Sequence, residues 1–312
     1  MVPPKTDPTH IPQWQSALFE RHQLGIEYLE AAQKWFGPLV RALAEHQNSA
    51  DRVVLIAING CQGSGKTTVS DFLCSSLIEE HQLHAVALSL DDFYLPRAER
   101  ATLATLVHPL LATRGVPGTH DMGLMRQTLE QLLDPDRSEA VLIPVFDKAT
   151  DDRRPIADWA RVDAPVQCVL LEGWCLGAMP VLTDSLAHPL NDLERDEDAA
   201  GRWRGYSNDV LRRDFQSLYA LVDQWVMLCA PSFDRVFSWR QEQEHKLAAK
   251  LSPEQGSRLM NDDALRRFIK HYERITRQCL SELPDKVNHL FKLDERRSVV
   301  NYSYRAEANV SL

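Results

Sequence analysis

Residues 58–68 read INGCQGSGKTT and follow VVLIAI (53–58), a run of β-branched and aliphatic residues. Such a run suits a strand buried on both faces of a sheet. The spacing G-x-x-x-x-G-K-T after it lets consecutive backbone N–H groups converge on phosphate oxygens, and a following helix adds the positive end of its dipole. Val69, Phe72, Leu73, Leu77 and Ile78 recur at intervals of three and four, which predicts that helix over about 65–82. Strand, glycine-rich loop and amphipathic helix, in that order, constrain the chain to an α/β fold that binds ATP or GTP. The candidate cradle is Gly60, Cys61, Gln62, Gly63, Ser64, Gly65, Lys66, Thr67 and Thr68. Lys66 is expected to reach the β and γ phosphates, and Thr67 to offer its hydroxyl to Mg²⁺. Cys61 sits where positive potential lowers a thiol pKa, but it is read as a small loop residue without a catalytic role.

Further apolar runs at 85–90 (AVALSL), 141–146 (VLIPVF), 167–172 (QCVLLE), 225–230 (WVMLCA) and 287–293 (VNHLFKL) alternate with helical patterns. That alternation predicts a doubly wound, mainly parallel sheet covered on both faces. Residues 1–50 form an expected N-terminal extension of two or three helices, interrupted at Gly37-Pro38, packed on a main domain of 51–312. NDDALRRFIKHYERITRQCL (261–280) reads as one strong amphipathic helix, and the charged stretch 191–204 as a surface insertion or linker.

Composition narrows the partners. Of 312 residues, 44% are hydrophobic and 25% charged, the balance of a soluble globular protein. A net charge of −9 argues against a broad nucleic-acid or anionic-lipid surface, so any anion site is local. No apolar run is long enough for a membrane span, and the first residues lack signal and transit patterns, so a cytoplasmic setting is expected. Six cysteines without CxxC pairs read as free thiols, and no cysteine metal site is assigned.

Transfer of a phosphoryl group to an alcohol needs a metal anchor and a carboxylate to orient the hydroxyl and take its proton. Asp91 and Asp92 follow one predicted strand and Glu172 ends another, at the carboxyl ends of the strands, where the ligand crevice of such a sheet lies. Asp92 serves equally as a helix or turn cap. RGVPGTHD (114–121) combines an arginine fork with a glycine-proline loop suited to a small anion, and PVFDK (144–148) sets an acid beside a base.

Together INGCQGSGKTT, SLDDFYL, RGVPGTHD, PVFDK, LEGWC, GRWRGYSNDVL and APSFDRVFSWRQEQE resemble the ATP-dependent D-glycerate 3-kinases and their bacterial relatives, in the phosphoribulokinase and uridine kinase superfamily, over about residues 53–298. The resemblance implies a P-loop kinase fold with ATP and Mg²⁺. It implies Asp91 as the base in preference to Asp92, and Glu172 beside Thr67 as the metal ligand. Asp92, Arg114, His120, Asp121, Asp147 and Lys148 become acceptor-side candidates. SWRQEQE resembles part of a lid, within about 183–260, with Arg240 as a charge-stabilising arginine beside Lys66 and Asp91. The segment ATDDRRP after PVFDK departs from plant-like members toward the bacterial ones, beside the acceptor pocket. The implied reaction is phosphorylation of the primary hydroxyl of D-glycerate. A kinase for another small alcohol such as a nucleoside or pantothenate, and a non-catalytic ATP-dependent regulator, are the alternatives.

Overall fold

The computed structural model describes residues 11–248 and 261–310. Residues 249–260, at the end of the expected lid, lie outside the described residues. Ten strands are described: β1 (Val54–Gly60), β2 (Ala85–Ser89), β3 (Val141–Ile143), β4 (Phe146–Asp147), β5 (Asp152–Arg153), β6 (Ala160–Val162), β7 (Cys168–Gly173), β8 (Gln224–Cys229), β9 (His289–Leu293) and β10 (Val299–Tyr304). Six of them form the central sheet in the order β10-β9-β8-β1-β7-β2. All neighbours are parallel except β10, which runs antiparallel to β9. Every residue of β1 and β7 is buried, as their unbroken apolar runs require.

The helices that cover the sheet are α1 (Gln13–His22), α2 (Ile26–Ser49), α3 (Lys66–His81), α4 (Arg97–Leu106), α5 (Met122–Leu132), α6 (Asp192–Glu197), α7 (Arg202–Val210), α8 (Gln216–Tyr219), α9 (Asp234–Ala248), α10 (Asp262–Lys270) and α11 (Glu273–Glu282). One apolar cluster joins α2 (Phe36, Leu39, Leu43) to α3, β1 and β9, so the first helices share the core of the sheet.

Four readings of the sequence change. Pro38 does not interrupt the N-terminal helices: α2 runs through it, because burying Phe36, Leu39 and Val40 outweighs the lost backbone bond. The run 141–146 does not enter the central sheet. Pro144 divides it, and its halves β3 and β4 pair with β6 and β5 in separate two-stranded ribbons. The 261–280 stretch is two helices, broken at His271-Tyr272, whose amides bond back three residues to Phe268 O and Ile269 O.

The stretch 191–204 is no linker. It forms α6 and the start of α7, and three of its charges, Glu194, Asp198 and Arg204, are buried: Arg204 Nη1 donates to Asp198 Oδ2 at 2.8 Å, with the two side chains 3% and 1% exposed. A buried pair that loses one partner strands the other charge. Asp198→Ala is therefore expected to cost about 3–5 kcal/mol of unfolding free energy, read from urea denaturation.

Candidate active site

The carboxyl ends of three adjacent strands build the centre. Parallel register sets Glu172 of β7 between Ile58 of β1 and Ser89 of β2. Glu172 is buried, and its Oε1 accepts from Thr67 Oγ1 at 2.8 Å and from Ser89 Oγ at 2.9 Å. Its Oε2 has no hydrogen-bond partner and faces Lys66 Nζ at 3.7 Å. A buried carboxylate oxygen left open beside a hydroxyl suits a hard cation such as Mg²⁺, which takes few protein ligands and keeps waters or phosphate oxygens for the rest. Among the described residues no three His, Cys, Asp or Glu gather into an all-protein metal cage.

Above this centre the cradle closes from β1 to α3. Gly65 precedes α3 without a side-chain cap, so the first N–H groups of a 16-residue helix are left for an anion. Gly63 has φ +81°, and a Cβ there would lie 2.7 Å from Trp239 Cβ, against the body of α9. Gly63→Ala is expected to displace the loop and weaken ATP binding at least tenfold, measurable by nucleotide titration, because neither the left-handed backbone nor the contact accommodates it. Gly60 backs onto Ser64, while both polar atoms of the Gln62 side chain are buried and unpartnered. Thr68 faces away toward α1, with Oγ1 3.4 Å from His22 Nδ1. Burial pushes the Cys61 thiol up to about 12 despite Lys66 nearby, so it is an inert thiol. Burial works to lower the Lys66 pKa, but Glu172 and Asp91 outweigh it and hold the ammonium charged.

Asp91 and Asp92 start the turn after β2 and take different environments. Asp91 Oδ2 accepts from Lys148 Nζ at 2.6 Å and Oδ1 from Tyr94 OH at 2.9 Å. Burial tends to raise its pKa, yet Lys148 and Lys66 hold it well below the usual carboxylate range. Asp92 accepts the Phe146 amide at 3.2 Å, and burial raises it to about 6. One aspartate thus lies between Lys66 of the cradle and Lys148, while the other anchors the β4 backbone.

Backbone pairing brings RGVPGTHD alongside. Leu95 N donates to Thr119 O at 2.9 Å and Asp121 N to Phe93 O at 2.7 Å. His120 consequently stacks on Tyr94, ring centroids 4.5 Å apart, buried with both ring nitrogens unpartnered. Arg114 lies 5.5 Å from the Phe146 ring centroid and pairs with Asp151. Trp174, from LEGW, donates its indole N–H to Gly115 O at 3.0 Å, and Tyr272 donates to Arg114 O at 3.1 Å. Asp121 caps α5 through Leu124 N and accepts from Arg153, and Asp147 caps its own turn through Ala149 N. Both carboxylates are engaged by the fold itself. Arg240 follows Trp239 on α9, and its charge, like that of Arg114, opposes the burial that raises the Tyr272 pKa.

Lys66, Thr67, Asp91, Lys148 and Glu172 therefore meet at one place, with His120 and Arg114 on the adjoining wall. Ser89, Tyr94, Arg153 and Trp174 were not singled out in the sequence. Ser89 is the polar residue ending β2, Tyr94 lies in SLDDFYL and Trp174 in LEGWC, so position relative to strand ends is the signal the sequence carries for them.

No family model matches the chain. Over 233 residues it is 30% identical to the probable ATP-dependent kinase TDA10 of Saccharomyces cerevisiae, which covers 70% of this chain and 75% of that one. This chain belongs to the P-loop kinases. The uncharacterised kinase mug58 of Schizosaccharomyces pombe is 29% identical over 246 residues, covering 75% and 83% of the two chains. The solved structure of a D-glycerate 3-kinase from Cryptococcus neoformans superposes with a TM-score of 0.71 at 25% identity, over 88% of this P-loop kinase and 99% of that one. The kinase described here is an ATP-dependent phosphotransferase with an alcohol as acceptor.

Proposed function

We propose that the enzyme transfers the γ-phosphoryl group of ATP to the primary hydroxyl of D-glycerate, giving 3-phosphoglycerate. The observation that carries this reading is the Lys148–Asp91 pair at 2.6 Å beside Lys66. An acceptor whose hydroxyl meets Asp91 finds an ammonium within reach of a neighbouring carboxylate. Likeness to a D-glycerate 3-kinase over nearly the whole chain supports the same class of acceptor.

In this reading Asp91 aligns the hydroxyl and accepts its proton. Lys66 and the amides of 63–67 neutralise charge that develops on the phosphoryl oxygens, with Arg240 contributing from α9. Lys148 or Arg114 pairs with the acceptor carboxylate, and His120 hydrogen-bonds an acceptor hydroxyl through its uncommitted ring nitrogens. Asp92, Asp121 and Asp147 hold these groups in place. When bound through Thr67 and Glu172, Mg²⁺ supplies further charge neutralisation at the phosphates. Unpaired thiols at all six cysteines support a reducing, cytoplasmic setting.

The test is purified enzyme with Mg-ATP and a panel of sugar acids, nucleosides and pantothenate, read by ADP release, with the phosphorylated position identified by NMR. D-Glycerate is expected to turn over with the product phosphate on the primary carbon. Turnover of nucleosides but not glycerate overturns the assignment.

A further inference from the structure

A cleft of about 350 Å³ lies between Val116 of the acceptor loop, α7 and α11, and no residue of the phosphate cradle lines it. That volume is in the range of small-molecule sites. Three buried polar atoms on its lining residues have no partner in the protein: Trp203 Nε1, Ser207 Oγ and His271 Nε2. Their residues are 3%, 5% and 4% exposed. Trp203 and Ser207 lie one turn apart on α7, and the Trp203 ring meets that of His271 edge-on with centroids 5.6 Å apart, so the three groups form one cluster.

The chemistry of the missing partner follows from the atoms. An indole N–H only donates. His271 Nδ1 lies 3.1 Å from Arg267 O and 3.2 Å from Phe268 O, both acceptors, which assigns the proton to Nδ1 and leaves Nε2 an acceptor. Ser207 does either. The charges around the cleft are already paired, Arg204 with Asp198, Arg274 with Glu194 and Arg277 with Glu273. A carboxylate or an ammonium therefore finds no counter-ion free.

The same walls hold the acceptor loop. Tyr206 of α7 packs so closely on Gly118, φ +103°, that a Cβ there would be 2.5 Å from its ring. Tyr272, next to His271, donates to Arg114 O.

We propose that this cleft binds a small uncharged molecule with neighbouring hydrogen-bond acceptor and donor on an apolar frame, an amide or a nitrogen heterocycle, and that its occupancy stiffens the acceptor loop. The proposal stands whichever alcohol the kinase phosphorylates. It is tested on the full chain with ¹⁵N-labelled indoles, the Trp203 signal being identified by its loss in Trp203→Phe. Nicotinamide, benzamide and 2-pyridone are titrated at millimolar concentration, with nicotinate and benzoate as charged counterparts. The uncharged probes are expected to shift the Trp203 signal and slow hydrogen exchange in residues 114–121 at least twofold, and the charged ones to do neither. Ser207→Leu, which fills the cleft, is expected to abolish both effects while ATP still binds. Should that variant not fold, Ser207→Ala is expected to weaken the probes several-fold. A Trp203 signal unmoved by every uncharged probe, moved equally by benzoate, still moved in Ser207→Leu, or titrated as tightly in Ser207→Ala as in the parent overturns the site and leaves water as its occupant. Binding without slower exchange in the loop overturns the coupling.

Discussion

Asp91→Asn is expected to lower kcat by about 10²–10⁴-fold while leaving ATP affinity within a few-fold. The amide keeps the shape of the carboxylate and an oxygen for Tyr94, so the fold of the turn survives. What disappears is the negative charge between Lys66 and Lys148, and with it the group proposed to align the acceptor. Basicity alone favours the neighbour: a base works best with a pKa near the working pH, and Asp92 is raised to about 6 while Asp91 is held low. Geometry favours Asp91. Phosphoryl transfer passes through a loose transition state in which the incoming hydroxyl is lined up long before its proton must leave, so position counts for more than proton affinity. Asp92 is occupied with the Phe146 amide, and asparagine there keeps an acceptor for that bond. Asp92→Asn should therefore cost less than tenfold in kcat. Steady-state kinetics of the two variants side by side decide the assignment, and a larger loss for Asp92→Asn reverses it.

What the sequence reveals of this site depends on whether a residue acts through its own strand or through a neighbour distant in sequence. Lys66 is readable from the spacing of the glycine-rich loop that precedes its helix, and Glu172 and Asp91 because each stands at the end of a buried apolar run, where an ionised side chain has no other reason to be. Tyr94 and His120 gain their meaning from the pairing of 93–95 with 119–121, which no periodicity announces. The same limit explains the fold. β1, β7 and β8 carry long apolar runs, whereas β10 is an edge strand with exposed Val300 and Tyr304 and hides its pattern. The stretch 191–204 looks solvated because charge normally means surface, and Asp198 and Arg204 satisfy each other inside instead. Pro144 is the one visible sign that 141–146 could not be a single central strand.

Acid should destabilise the kinase well before its ordinary carboxylates protonate. His120, His271 and His289 are buried, and burial holds each imidazole down to about 4, against weaker opposing influences such as Asp91 near His120 and Glu197 near His271. In the unfolded chain the same rings titrate near the usual histidine value of about 6.5. Between those two pKa values the unfolded state binds protons that the native state refuses, so unfolding free energy falls as pH falls through the window. Each ring contributes up to about 3 kcal/mol. Asp92 acts in the opposite sense: raised to about 6, it costs stability at neutral pH and recovers it on acidification. Three histidines outweigh the two carboxyls that burial raises, Asp92 and Glu80, and the depressed pKa of Asp91 withdraws its own contribution only at lower pH still. The net loss between about pH 7.5 and about pH 5 is expected to be roughly 4 kcal/mol, visible in urea midpoints across that range. His289, between Gln224 Oε1 and Tyr302 OH and remote from the acceptor loop, isolates one share of the effect. His289→Gln should be less stable at neutral pH but lose stability less steeply on acidification, and an unchanged slope in that variant would show that the protons are taken up elsewhere.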